Sequence, residues 1–400
     1  MGSYSRILGV APMPSLLVTS LLARLPMGIN GLAAVLLLRE HRGSFAVAGM
    51  TAGALALGGG LGTPLSARLV DRVGTRVLAA LATGHAAGLV TLVALAAGAP
   101  PAVLVAVAFL TGTSLPPVSS VQRALYPRLL RGRPELLHGA FALDSVLTEL
   151  IFVTGPALTA GIAVAVSPGA ALVVSAGAVT AGTLAFLAVL GDGELVVRGT
   201  AANGRLGALR AAGVRTLVVT MLPVGLAFGI LEIAIAAFAA EERHPELAGV
   251  LLTLWAVASA AGGLVYGARP RRGTAGQAHL RIALLLPVGL APLSLATSPA
   301  AMALLLLPAG VFIAPLLATR NELAGLVAPE GSETEAYTWP LTAIVAGIAG
   351  GAAIGGAIVD DAGWRTAALT AVGCAAAGSV LALTRRATLR RPLGVPEAAR

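Results

Sequence analysis

From Val77 to Gln122 the chain carries no Asp, Glu or Arg, and the same holds from Leu150 to Gly191 and from Ile282 to Thr319. A soluble domain cannot run that far without a charged, water-facing position, whereas a membrane-spanning helix asks for about 20 apolar residues in a row. Each run is too long for one span, and each contains a turn signal near its middle: Gly98-Ala99-Pro100-Pro101, Ser167-Pro168-Gly169 and Thr297-Ser298-Pro299. Composition agrees. Charged residues make up 11% and hydrophobic residues 57%, against about 25% charged in soluble chains. Soluble enzymes, disordered chains and disulfide scaffolds are excluded, and continuous rather than alternating apolar runs argue against a membrane β-barrel.

Twelve spans result, at 15–38, 44–67, 77–97, 101–124, 140–166, 169–190, 214–239, 247–268, 279–297, 300–320, 336–359 and 364–384. The expected fold is an all-α membrane protein of two six-helix bundles. The first run has no small-residue cleavage site and reads as a helix, not a signal peptide. The bundles cover 1–191 and 214–400, joined by a polar linker at 192–213, with a short tail at the end. All 27 basic residues are Arg, which excludes a Walker-type phosphate loop and its Lys. Four of them, Arg39, Arg42, Arg243 and Arg365, fall in loops on one side, and Arg24 lies within a span; the others fall on the opposite side. By the positive-inside rule that side is cytoplasmic, and it holds both termini. The loop arginines form no basic face, so nucleic acid is not a partner. The lone Cys374 allows no internal disulfide, and no His or carboxylate group has metal-ligand spacing.

The halves repeat. Val47-Ala48-Gly49 matches Leu247-Ala248-Gly249 at an offset of 200, at which Gly62 meets Gly262 and Arg72 meets Arg272. Ala140-Phe141 matches Ala336-Tyr337 at an offset of 196, at which Gly155 meets Gly351. Parallel repeats of this kind belong to transporters that rock two halves around a central site.

The loop after the second span reads Ala67-Arg68-Leu69-Val70-Asp71-Arg72-Val73-Gly74-Thr75-Arg76. It resembles the signature of the major facilitator superfamily at Leu69, Asp71, Arg72, Gly74 and Arg76, and departs from it at Ala67 and Thr75. The resemblance, taken with the twelve spans, covers the whole chain. It implies that Asp71 latches the halves in the outward-open state near the start of helix eleven. Gly155-Pro156 on helix five looks like part of a motif of drug–proton antiporters in that superfamily, without the second glycine pair. The Arg-containing motif at the start of helix four is missing, since residues 102–110 hold no charge.

Ionisable groups inside spans are costly and mark candidate sites. Four stand out: Arg24, Asp144, Glu149 and Glu232. Arg24 and Glu149 lie at matching depth and are expected to pair. Glu232, with no cation nearby on its own helix, is the freer proton carrier. Asp144 is placed to join an inner gate with Arg72 or Arg123. Asn30, Trp255 and Trp339 are cavity candidates, and His85 is read as a packed histidine. The expected function is proton-coupled efflux of a small molecule from the plasma (inner) membrane, by a monomer surrounded by lipid, with no cofactor beyond the proton gradient. Proton symport or facilitated uptake of a sugar or metabolite is the alternative. A membrane sensor or a lipid-linked enzyme is the reading from another class.

Overall fold

The computed structural model describes residues 2–42, 45–191, 207–244, 247–270 and 273–389. Residues 192–206, most of the expected linker, lie outside the described residues. Among the described residues, twelve rods follow a short amino-terminal helix, Gly2–Leu8. The first six are α1 (Met13–Arg42), α2 (Phe45–Val73), α3 (Val77–Leu95), α4 (Pro101–Leu129), α5 (Leu137–Ala165) and α6 (Pro168–Leu190). The second six are α7 (Ala212–Glu241), α8 (Leu247–Ala268), α9 (Ala275–Leu290), α10 (Pro299–Val327), α11 (333–362) and α12 (364–384). The last two run on as one helical stretch and are separated by Gly363, whose φ of +80° only glycine adopts without strain.

Local chemistry sets the ends. The apolar runs turn where expected, and α6 and α10 begin alike: Ser167 and Ser298 cap the backbone N–H of Ala170 and Ala301, each followed by proline in the first turn. Among the ends that differ from expectation, two are set by buried arginines. The helices α4 and α10 continue past residues 124 and 320 to Leu129 and Val327, because Arg123 and Arg320 are not loop residues. Both are buried inside helices.

Glycine seams hold each bundle together, and they recur at repeat-related positions. A Cβ on Gly62 of α2 would come within 2.6 Å of the Thr113 carbonyl on α4, and one on Gly262 of α8 within 2.8 Å of the Val311 backbone on α10. Gly112 meets the Gly59 backbone as Gly310 meets that of Ser259. A Cβ on Gly155 of α5 would sit 2.5 Å from Gly28 on α1, and one on Gly351 of α11 would press on the Leu226 carbonyl of α7, 2.9 Å from the Leu226 Cα. In a membrane the driving force for helix association is close packing, which small residues permit.

The cores show how the bundles meet. One apolar cluster lies wholly in the first bundle, around Ile29, Leu37, Leu89, Leu104 and Leu172. Another lies wholly in the second, around Phe228, Leu231, Trp255, Leu306 and Trp364. A third joins Ile7, Tyr126, Phe141 and Ala142 of the first to Val214, Leu323, Ala336 and Tyr337 of the second. This shared cluster sits at the arginine-rich end, where α4 and α10 finish and α5 and α11 start. The bundles therefore close against each other there and keep separate cores toward the opposite end.

Charged layers between the bundles as the candidate functional site

Three layers stack inward from the arginine-rich end. In the outermost, Asp71 is buried beyond the apolar stretch of α2 and faces the first turn of α11. Its carboxylate accepts the backbone N–H of Thr334 at 3.1 Å and of Glu335 at 2.8 Å. The start of a helix offers unpaired N–H groups and the positive end of its dipole, so a carboxylate suits it. Burial pushes the Asp71 carboxyl up to about 6, although these bonds pull the other way. The loop can deliver Asp71 because Gly74, at φ +101°, turns the chain directly after α2. Leu69, Arg72 and Arg76 of the same motif are exposed and surround it. Glu335, unmarked in the sequence reading, is buried beside them. It accepts from the Ala208 backbone at 3.1 Å and from the Trp339 indole at 3.0 Å, with Arg68 at 4.0 Å. Trp339 is thus occupied at this end and does not line a central cavity.

The second layer is aromatic. Tyr126 and Phe141 meet edge-on with centroids 5.4 Å apart, and Phe141 and Tyr337 lie 6.1 Å apart. Each belongs to the cluster shared by both bundles, so these rings seal the arginine-rich end.

The third layer is charged and lies one helical turn further in. On α5, Asp144 is three residues inward of Phe141; on α4, Arg123 is three residues inward of Tyr126. Asp144 receives Arg24 Nη1 at 2.8 Å on one oxygen and Arg123 Nε at 2.7 Å on the other. Arg24 also donates to Thr148. The expected pairing of Arg24 with Glu149 is therefore corrected to Arg24 with Asp144. The arginine's long side chain reaches back along α5 to the acid that Arg123 also meets. Arg320, on α10 of the second bundle, lies close enough to Arg123 and Asp144 to interact electrostatically with both.

Glu149 bonds across the bundles instead. Ser259 of α8 donates to Glu149 Oε1 at 3.1 Å and accepts the Ala314 N–H of α10 at 3.2 Å. This bond and the one from Thr342 to the Gly60 carbonyl, 3.0 Å, reach furthest from the arginine-rich end. Glu232, half-buried on α7, makes no hydrogen bond or ion pair among the described residues.

The other candidates are structural. Asn30, expected in a cavity, is buried within the first bundle because its amide completes a closed polar chain. His85 Nδ1 donates to the Thr111 carbonyl at 2.7 Å, which leaves Nε2 to accept from Asn30 Nδ2 at 3.0 Å; Ser175 donates to Asn30 Oδ1 at 2.6 Å. Trp255 packs edge-on to Phe228, 5.7 Å apart, in the core of the second bundle. Gly155 serves the α1–α5 seam, and Pro156 sits inside α5 without ending it.

The comparisons follow this geometry. A bacterial homologue of the iron transporter ferroportin, solved in an outward-facing state, is 15% identical, with a TM-score of 0.78 over 94% of this chain and 99% of that one. The human organic anion transporter MFSD10 is 17% identical, with a TM-score of 0.69 over 94% and 98%. The fucose:proton symporter of E. coli is 17% identical, with a TM-score of 0.70 over 94% and 99%. At these identities the likeness is one of fold. No curated protein sequence matches. The family model described as Major Facilitator Superfamily matches residues 16–337. With its twelve rods, its paired seams and its loop carrying Asp71, the chain belongs to the major facilitator superfamily and is a membrane transporter, not an enzyme.

Proposed function

We propose that the protein exports a small molecule across the plasma membrane in exchange for protons, by alternating access, with Glu149 as the proton-carrying carboxyl. The observation that carries this reading is the bond from Ser259 to Glu149, which joins the two bundles at the inner limit of the gap between them. A proton carrier has to be ionised in one arrangement and neutral in the other, so its surroundings must change as the bundles move. Glu149 loses a cross-bundle donor when they part. Asp144 is less suited, since two guanidinium groups occupy both of its oxygens. Glu232 lacks such a link to the opposite bundle and is the second candidate. The arginine-rich end is taken as cytoplasmic from the arginine distribution, so the arrangement described is closed inward. The export direction rests on the likeness of Gly155-Pro156 to the antiporter motif.

The test is a proteoliposome with an imposed pH gradient and a labelled substrate chosen by counterflow against a compound panel. Glu149→Gln is expected to abolish uphill transport and to leave downhill exchange, which need not cycle the proton. Uphill accumulation by Glu149→Gln would pass the role to Glu232. Wild-type accumulation untouched by a protonophore would replace the whole reading with facilitated transport.

A further inference from the structure

The charged layer does not balance: three guanidinium groups meet one carboxylate. Asp144 already has both oxygens engaged, by Arg24 and Arg123. Arg320 comes to the layer from the other bundle, and its Nε and Nη2 reach only the side-chain oxygen of its neighbour Asn321, at 3.1 and 2.5 Å. Among the described residues, Arg320 Nη1, Arg123 Nη1 and Arg24 Nε have no hydrogen-bond partner. All three arginines are nearly sealed, with exposures of 3%, 2% and 4%. Arg320 is near enough to Arg123 and Asp144 to feel both charges.

The surrounding groups do not make up the deficit. Glu322 is two residues along α10 from Arg320, and residues at that spacing do not share a helix face. Asp71 and Glu335 lie beyond the aromatic layer, and Glu149 is bonded to Ser259. His279, held through Nδ1 by Thr319 at 3.0 Å, brings no negative charge. Tyr126 is occupied by Gln122. Buried cations without a counter-charge are costly unless something completes them, and planar guanidinium groups match the oxygens of carboxylates and phosphates.

The geometry points to an anion site between the bundles, made by Arg24, Arg123 and Arg320, that takes the carboxylate or phosphate group of the transported molecule. The cargo is then an organic anion. This deepens the transport reading above and rests on it. The site spans both halves: Arg24 and Arg123 belong to one bundle and Arg320 to the other. Closing the arginine-rich end brings Arg320 toward Arg123, like charge toward like. An anion between them turns that repulsion into a bridge, so the closed end is favoured when cargo is aboard. The half-buried Thr148 and Glu149 border the layer on the side of the gap.

The experiment measures thermal unfolding of the full chain in detergent while sodium citrate, inorganic phosphate or, at matched ionic strength, sodium chloride is titrated. Citrate or phosphate should raise the midpoint saturably and chloride should not. Arg320→Gln should raise the half-saturating concentration about tenfold or more, the loss expected for one charge-assisted contact, with Arg320→Lys between the two. Without anion, Arg320→Gln should melt no lower than the wild type, since it removes an unpaired buried charge; a purely structural arginine would melt lower. An equal response in wild type and Arg320→Gln, a saturable response to chloride alone, or no saturable response overturns the site. Counterflow separates this inference from the transport reading. Exchange of a neutral or cationic compound by a protein that ignores anions sinks the anion site and leaves transport standing. A saturable, Arg320-dependent response in a protein that exchanges nothing sinks transport and leaves the site.

Discussion

The two bundles share a scaffold and differ in what they bury. In the first, polar chemistry crosses the interior twice, through Arg24–Asp144–Arg123 and through Ser175–Asn30–His85–Thr111. The second is built around one large apolar cluster, with Trp255 on Phe228 and Trp364 on Phe238, and the Trp255 indole N–H has no partner among the described residues. Yet the glycine seams recur in both at repeat-related positions. Backbone approach is what the fold demands of each copy, and a seam fails if a side chain is added. Side-chain content away from the seams is free to specialise, and the first bundle has used that freedom to pair buried charges across its own helices.

The sharpest way to break this comparison is Asp144→Asn. It leaves two buried guanidinium groups facing an amide, and losing one partner of a buried ion network costs about 3–5 kcal/mol. At the repeat offset its counterpart is Pro340, so no substitution in the second bundle has an equivalent effect. Thermal unfolding in detergent measures it, and a loss below about 1 kcal/mol would mean the network is not what holds α1, α4 and α5 together. Next in size, Gly155→Val and Gly351→Val should each cost about 1–3 kcal/mol through overpacking, and by similar amounts. Unequal costs would show that the repeat in sequence is not a repeat in packing.

Asp71→Asn acts between the bundles and should be milder, about 1 kcal/mol for the latch, because the amide oxygen still accepts one bond. Transport should fall several-fold with membrane insertion unchanged; wild-type turnover would remove the latch. The smallest expected effect is a slope with pH. The Asp71 carboxyl, raised from 3.8 to about 6 when latched, binds its proton more readily in the latched arrangement than when exposed. Latching is therefore favoured as pH falls from above 6 toward 4 and weakens as pH rises through about 6. Midpoints compared over that window should rise toward the acid end in wild type and not in Asp71→Asn, so that the gap between them widens there, and parallel lines would contradict the assignment.

The spans were legible because apolar length is a one-dimensional property. The loop carrying Asp71 was legible because its residues are contiguous. Partners were not. Depth along a helix follows from residue number at a rise of about 1.5 Å, and it set Arg24 level with Glu149. Which way a side chain leans, and which helix stands beside it, does not follow from residue number. Arg123 and Arg320 were misplaced for a related reason. An arginine usually marks the membrane surface, and here two of them lie buried within helices. Asn30 was read as cavity-lining because polar groups in spans tend to be exposed to water or substrate, whereas His85, Ser175 and Thr111 meet its needs internally.

The seams bear on motion. Where the Gly155 backbone lies against Gly28, or Gly62 against Thr113, there is no layer of side chains to slide. A Cβ on Gly267 at the arginine-rich end would instead meet the Ala142 side chain of the other bundle, at 2.6 Å. The molecule then behaves as struts riveted in pairs, α1 with α5 and α2 with α4, α7 with α11 and α8 with α10, with bearings only where side chains face side chains. Displacement falls on the faces between the bundles, among them α2–α11 and α5–α8, which the bonds of Thr342 and Glu149 cross. A valine at Gly267 would jam a bearing and leave every rivet in place.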